Sequence, residues 1–102
     1  MIELVEKHRQ ALELLCVKYR VGRLELFGSA VTGAFDMQTS DLDFLVEFLP
    51  LEEGQHANAY FDLLFDLQDL FVRDIDLVVA EAIKNKYFIQ AINQHRELLY
   101  AA

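Results

Sequence analysis

Two apolar segments of strand type, separated by a long helical segment, constrain the fold of this chain most strongly. The strand candidates are Asp41–Phe48 and Asp74–Val79, both rich in Val, Ile, Phe and Leu. Residues 57–71 between them are long enough for about four turns of helix. Because a connection through a helix usually makes neighbouring strands parallel, we expect both strands to begin at one edge of a sheet.

The rest of the chain supplies further helices and one more strand. Residues 2–19 have the apolar spacing of an amphipathic helix, residues 23–27 alternate as a short strand, and residues 86–99 are predicted as a closing helix. Four apolar residues of the closing helix are expected to face inward: Phe88, Ile89, Ile92 and Leu99. The sequence therefore predicts one α/β or α+β domain over residues 1–102, with a small mixed three-stranded sheet covered by helices.

The helix predicted over residues 57–71 is apolar over most of its surface. Its polar side chains form one narrow stripe, made of Asn58, Asp62, Asp66 and Asp69. Two interpretations stay open: a wide core helix, or a helix that also docks a partner.

Charge and cysteine content exclude several classes of function. The chain has 102 residues and a formal net charge of -8, and no Lys or Arg occurs from Leu24 to Val72. This argues against direct binding of a nucleic-acid backbone. The single Cys16 cannot form an internal disulfide, and neither a signal peptide nor a transmembrane segment is recognisable, so we expect a cytoplasmic location away from membranes.

Gly28 and Ser29 follow the first predicted strand, where a short helix could begin. Such a junction presents free backbone N–H groups and a hydroxyl, which suit a phosphate. A simple turn with a serine helix cap is the alternative interpretation.

Acidic residues at the starts of the two later strands point to a divalent cation. Asp41 and Asp43 project from one strand face at about 6–7 Å from each other, and Asp76 would lie level with them on the parallel strand. For Ser29 to lie beside them, the first two strands must be antiparallel. Carboxylate oxygens suit Mg²⁺, and three of them can hold two metal ions for phosphoryl or nucleotidyl transfer. A solvated carboxylate pair is the alternative for Asp41 and Asp43, and Asp74 competes with Asp76 as the third ligand.

The run LFGSAVTGAFDMQTSDLDFLVEF resembles the signature of the polymerase-β-type nucleotidyltransferase superfamily. Together with the small size, the C-terminal run YFIQAINQHRELLYAA resembles the minimal nucleotidyltransferase branch, whose members are antitoxins of HEPN-domain ribonuclease toxins. The resemblance implies the nucleotidyltransferase fold, a hetero-oligomeric complex with the toxin, ATP as donor and transfer of AMP to a toxin tyrosine.

The same resemblance implies roles for individual residues. Gly28 and Ser29 would hold the triphosphate, and Asp41 and Asp43 would bind two Mg²⁺ ions. Asp76 would bind one of these metals and help to deprotonate the acceptor.

Two features depart from the family pattern. The loop after Ser29 lacks the arginine that many relatives carry, so Arg73 or Lys84 would have to assist the metals and the backbone in charge balance. The spacer over residues 30–40 is also one residue longer than usual. Two alternative functions stay open: a catalytically weak or inactive binding module that masks the toxin, and a small-molecule nucleotidyltransferase.

The remaining candidates have ordinary structural explanations. His8, His56 and His95 show no metal-ligand spacing and are expected on the surface, and Cys16 falls on the core face of the first helix. The apolar end, residues 98–102, could cap the core or join an interface.

Overall fold

A computed structural model describes residues 2–102 as one mixed sheet with helices on both faces. The elements are, in chain order, α1 (Glu3–Lys7), α2 (Arg9–Lys18), β1 (Val21–Phe27), α3 (Ser29–Thr32), β2 (Leu42–Phe48), α4 (His56–Phe71), β3 (Ile75–Val79), a 3₁₀ turn (Ala80–Ala82), α5 (Lys86–Gln94) and β4 (Arg96–Ala101).

The strand directions agree with those expected from the sequence. The order in the sheet is β3-β2-β1-β4. β1 runs antiparallel to β2, and β2 runs parallel to β3 with Leu42 opposite Ile75. The helical crossover α4 therefore brings the starts of β2 and β3 to the edge at which β1 ends.

The predicted three-stranded sheet is wrong in one respect, because the chain forms a fourth strand. Helix α5 ends at Gln94, where His95 adopts φ -143° and ψ 79°, and β4 then pairs antiparallel with the free side of β1. Pairing satisfies backbone groups that β1 would otherwise expose. The prediction of one helix over residues 86–99 is therefore incorrect from residue 95 onward.

This change also alters which apolar side chains face inward. Ile92 and Leu99 are buried as expected, but Phe88 and Ile89 are 40% and 38% exposed, so their predicted inward orientation is not observed. In a strand, Leu98 and Leu99 point to opposite faces, and only Leu99 enters the core.

The helix predicted over residues 2–19 is divided at His8 into α1 and α2. The His8 ring packs edge-on against Phe71 at 5.3 Å between ring centroids, and Nδ1 lies 2.8 Å from the Leu4 carbonyl oxygen. His8 is thus half-buried rather than a surface residue, whereas His56 and His95 are exposed as expected. Cys16 is buried in the core, which confirms its predicted packing role.

The main core lies between the sheet and the helices α1, α2 and α4. From β2 it contains Leu42, Phe44 and Val46, which alternate with Asp43 and so point to the opposite face of the sheet. Helix α4 contributes Leu63, Leu67 and Phe71, while Phe61 and Phe65 stay exposed, so α4 is both a core helix and a partly uncovered one. In residues 2–102, no helix has the length and apolar character needed to cross a membrane.

Candidate active site

The residues singled out from the sequence lie together at one end of the sheet, where β1 ends and β2 and β3 begin. In the β2–β3 register Asp43 lies opposite Asp76, and in the β1–β2 register Asp43 lies opposite Phe27. Gly28 and Ser29 follow Phe27 directly. Three neighbouring strands thus place the Gly28-Ser29 turn, Asp43 and Asp76 side by side.

Gly28 is required by its contact with Asp43. Its backbone has φ 72° and ψ -149°, a region that essentially only glycine adopts. A Cβ atom at this position would lie 2.1 Å from Oδ2 of Asp43, so the carboxylate occupies the space above the bare Cα. The phosphate-turn candidate and the metal-ligand candidate are therefore in direct contact.

Ser29 begins the single-turn helix α3. The N–H groups of Val31 and Thr32 donate to the Gly28 carbonyl at 3.0 and 3.2 Å. The N–H groups of Ser29 and Ala30 precede the first intrahelical bonds, so this geometry leaves them without helical partners. They are donors at the edge that also holds Asp43.

The carboxylates of Asp76 and Asp41 lie close enough to Asp43 to affect its ionisation. Burial raises the pKa of the Asp43 carboxyl to about 6, with further contributions from Asp76 and then Asp41. Like charges held this close oppose each other's ionisation, and a bound cation would relieve this opposition.

The donor set fits a hard divalent cation. The candidate ligands are carboxylates only, which is the oxygen chemistry that Mg²⁺ prefers. Within residues 2–102, no group of three or more His, Cys, Asp or Glu side chains is placed closely enough to hold a metal ion. The fit therefore rests on the register and on the raised pKa of Asp43.

Asp41 and Asp74 lie one step outside the two paired strands. Asp41 precedes β2 and is exposed, and the N–H of Leu42 donates to the Asp74 carbonyl at 3.3 Å. The Asp74 backbone thus contributes to the ladder, while the carboxylates that raise the pKa of Asp43 are those of Asp76 and Asp41.

Arg73 has a different place from the one suggested by sequence. Its guanidinium donates to the carbonyls of Ser40 and Met37, at 3.3 and 3.0 Å, in the loop before Asp41. Arg73 is therefore engaged by this loop and not by the Gly28-Ser29 turn. Lys84 is exposed in the segment before α5.

Sequence reasoning also missed a charged network on the acidic face of the sheet. Glu25, which is buried, accepts from Arg23 at 2.6 Å and forms an ion pair with Arg96 at 3.0 Å. Arg96 lies opposite Phe27 in the β1–β4 register, so a cation stands one strand away from the Gly28-Ser29 turn. Residue 96 falls in the helix predicted over residues 86–99, so the sequence pattern gives no signal for this proximity.

Comparisons with known proteins identify the family and the fold. The profile of a family described as "Nucleotidyltransferase domain" matches residues 8–99. A candidate protein adenylyltransferase of Methanocaldococcus jannaschii, MJ0128, is 34% identical over 98 residues, which cover 96% of this chain and 91% of the relative.

Two solved structures share the fold. A candidate minimal nucleotidyltransferase superposes with a TM-score of 0.73 at 27% identity, covering 92% of this chain and 94% of the other. A complex of a tri-AMPylated Shewanella oneidensis HEPN toxin with its MNT antitoxin contains a chain with a TM-score of 0.56 at 19% identity. That match covers 92% of this chain and 73% of the other.

Proposed function

The chain belongs to the nucleotidyltransferase domain family, and from this premise we propose that it transfers AMP from ATP to a tyrosine of a partner HEPN ribonuclease toxin. The reaction requires Mg²⁺, takes place in the cytoplasm and silences the toxin, so that the chain acts as its antitoxin.

The observation that carries this proposal is the single sheet edge shared by the Gly28-Ser29 turn, Asp43 and Asp76. A nucleotidyl transfer needs an anion site for the triphosphate beside carboxylates that hold cations. A protein that only masks its partner needs neither, so this contact favours catalysis.

Each residue has a defined task in the proposed reaction. The N–H groups after Gly28 and the Ser29 hydroxyl hold the polyphosphate, and Asp41, Asp43 and Asp76 would hold two Mg²⁺ ions. The metals, when bound, supply positive charge that offsets the phosphate oxygens. Asp76 also helps to deprotonate the attacking hydroxyl, directly or through water.

The bond changes balance as a substitution at phosphorus. The tyrosine oxygen forms a bond to the α-phosphorus of ATP, and the bond between this phosphorus and the bridging oxygen to the β-phosphate breaks. Pyrophosphate leaves with that bonding pair, and the phenolic proton passes to the base and then to solvent.

The relatives support the choice of donor and acceptor. The Shewanella oneidensis complex contains a HEPN toxin that carries AMP groups beside an MNT antitoxin, and the Methanocaldococcus jannaschii relative is a candidate protein adenylyltransferase. ATP is thus the donor that we assign, and a HEPN toxin is the acceptor protein.

Intact-mass analysis tests the proposal directly. The protein is incubated with Mg²⁺, ATP and the proposed HEPN partner toxin, and peptide mapping then locates any modified residue. We expect the toxin mass to increase by whole AMP groups on tyrosine, and Asp41→Asn/Asp43→Asn to abolish the increase. Silencing in a stable complex without a mass change would replace catalysis by masking.

A further inference from the structure

Arg73 connects the segment between α4 and β3 to the loop that precedes β2. Its Nη1 and Nη2 atoms donate to the carbonyls of Ser40 and Met37, and the guanidinium carbon lies 5.1 Å from the centroid of the Phe35 ring. Arg73 thus contacts the loop at three points through one planar group.

The loop has its own hydrogen bonds, but these lie at the surface. The N–H of Ser40 donates to the Asp36 carbonyl, and the N–H of Asp36 donates to Oγ of Ser40, each at 2.9 Å. The N–H of Gln38 donates to Oδ1 of Asp36 at 2.8 Å. We call residues 36–40 the Asp36–Ser40 turn; its central residues are exposed, so its internal bonds compete with water. Arg73 links this turn to the segment between α4 and β3 through its bonds to Ser40 and Met37.

Asp41 lies between two backbone groups that the same segment holds. The carbonyl of Ser40, immediately before it, accepts from Arg73, and the N–H of Leu42, immediately after it, donates to the Asp74 carbonyl. Residues 73 and 74 therefore fix the backbone on both sides of an exposed carboxylate. A single strand bond would fix only one side.

We propose that Arg73 is a positioning residue for Asp41, and that its fork-shaped contact with the Asp36–Ser40 turn holds the Asp41 carboxylate in the geometry needed to bind a divalent cation. This inference rests on the proposed role of Asp41 as a Mg²⁺ ligand. It assigns to Arg73 no contact with the nucleotide.

Charge and geometry predict opposite effects of removing Arg73. A guanidinium near a cation site repels the cation, so removal of its charge alone would tighten metal binding. Loss of the two hydrogen bonds releases the turn and would weaken metal binding, as loss of groups that orient metal ligands commonly does by about tenfold or more. The direction of the change therefore distinguishes the two roles.

The experiment is a titration of the metal-free protein with Mn²⁺, a substitute for Mg²⁺, followed by the electron paramagnetic resonance signal of free Mn²⁺. For Arg73→Met we expect binding about tenfold weaker than in the wild type. The matched control is Arg20→Met, which removes the same charge at the turn after α2, where the Leu49 N–H donates to the Arg20 carbonyl at the opposite end of β2. The control should bind Mn²⁺ as the wild type does.

A second comparison protects the test against misfolding. Circular dichroism and thermal melts establish whether each variant is folded. Arg73→Lys keeps the charge but has one donor nitrogen in place of the two that bond Ser40 and Met37. Its Mn²⁺ affinity should therefore fall between those of the wild type and Arg73→Met. In an Asp41→Asn background, Arg73→Met should cause no further weakening. If Arg73→Met does not fold, Arg73→Lys decides.

The outcomes separate this inference from the proposed function. Unchanged or tighter Mn²⁺ binding by folded Arg73→Met overturns the positioning role but leaves the metal site intact. If the wild type binds no Mn²⁺, the metal site of the proposed function fails, and the role of Arg73 fails with it. Neither result depends on the toxin or on ATP turnover.

Discussion

At the level of single residues, the contact between Gly28 and Asp43 determines which residue position 28 can carry. Any side chain at position 28 would enter the space of the Asp43 carboxylate, and the positive φ of Gly28 adds a backbone cost for other residues. The glycine of the Gly-Ser pair is therefore required partly because it packs against Asp43, 15 residues later in the sequence. A role for Ser29 in holding phosphate stays a prediction.

Asp43→Asn should stabilise the metal-free protein at neutral pH. The raised pKa of about 6 means that protonated Asp43 favours folding below about pH 4, and that this advantage is lost as pH rises through 6. Asparagine removes the charge, so we expect a gain of about 1–3 kcal/mol in unfolding free energy at pH 7.5 and almost none at pH 4.

Urea unfolding of the metal-free proteins at the two pH values measures this difference. Glu53→Gln, a neutralisation in the exposed loop before α4, is the control and should show no such pH-dependent gain. An equal gain for Asp43→Asn at both pH values would contradict the assigned ionisation.

Asp76 and Asp74 should differ strongly in their effect on turnover. Asp76 lies opposite Asp43 and contributes to the raised pKa of Asp43, whereas Asp74 lies before β3 and its backbone carbonyl holds Leu42. A misplaced catalytic group can cost roughly 100-fold in rate. We expect Asp76→Asn to lose at least that factor and Asp74→Asn to lose only a few-fold, in single-turnover assays at saturating Mg²⁺ and ATP. The reverse ranking would assign the third ligand to Asp74.

At the scale of elements, β4 is the feature that sequence periodicity misassigned. The run from Arg96 to Ala101 contains two adjacent leucines and a tyrosine, which fit either a helix end or a strand. The unpaired side of β1 decides in favour of the strand, because pairing satisfies its backbone donors and acceptors. The local sequence pattern of residues 96–101 contains no information about their pairing with β1.

Leu98→Ala and Leu99→Ala test the strand assignment as a pair. Leu99 is 2% exposed and Leu98 is 44% exposed. We expect Leu99→Ala to lower the unfolding free energy by about 2–4 kcal/mol and Leu98→Ala by less than about 1 kcal/mol, measured by urea denaturation. Similar losses for both would be inconsistent with opposite strand faces.

At the scale of the whole molecule, the acidic site and the partly uncovered helix α4 suit a protein that acts on another protein. The chain forms one layered unit around a single sheet, and its site lies at an open edge, with Asp41 and Asp76 exposed. An acceptor carried by a partner protein can therefore approach these exposed carboxylates.

Silencing of the toxin by less than stoichiometric amounts of this protein is expected if it is a catalyst. With Mg²⁺ and ATP, about one antitoxin per ten toxin molecules should eliminate ribonuclease activity over time, because each molecule turns over repeatedly. Without ATP, the same ratio should leave most activity. Titration of ribonuclease activity, with Asp41→Asn/Asp43→Asn as control, measures this; a strict one-to-one requirement with ATP present would indicate masking.

Sequence pattern alone predicts the strands β2 and β3, the helix between them and hence the parallel pairing that brings Asp43 level with Asp76. These features depend on local periodicity and on the length of one connection, both of which are properties of neighbouring residues. The antiparallel placement of β1 followed from the assumption that Ser29 belongs beside the acids, and the ladder confirms it.

Three features could not be predicted from the sequence: the fourth strand, the break at His8, and the partners of Arg73, Glu25 and Arg96. Several of the deciding contacts join residues far apart in the sequence: β1 with residues 96–101, Arg73 with the carbonyls of Met37 and Ser40, and Glu25 with Arg96. Such contacts form because burial and hydrogen bonding between distant segments outweigh weak local preference. A pattern that spans a few residues contains no information about them.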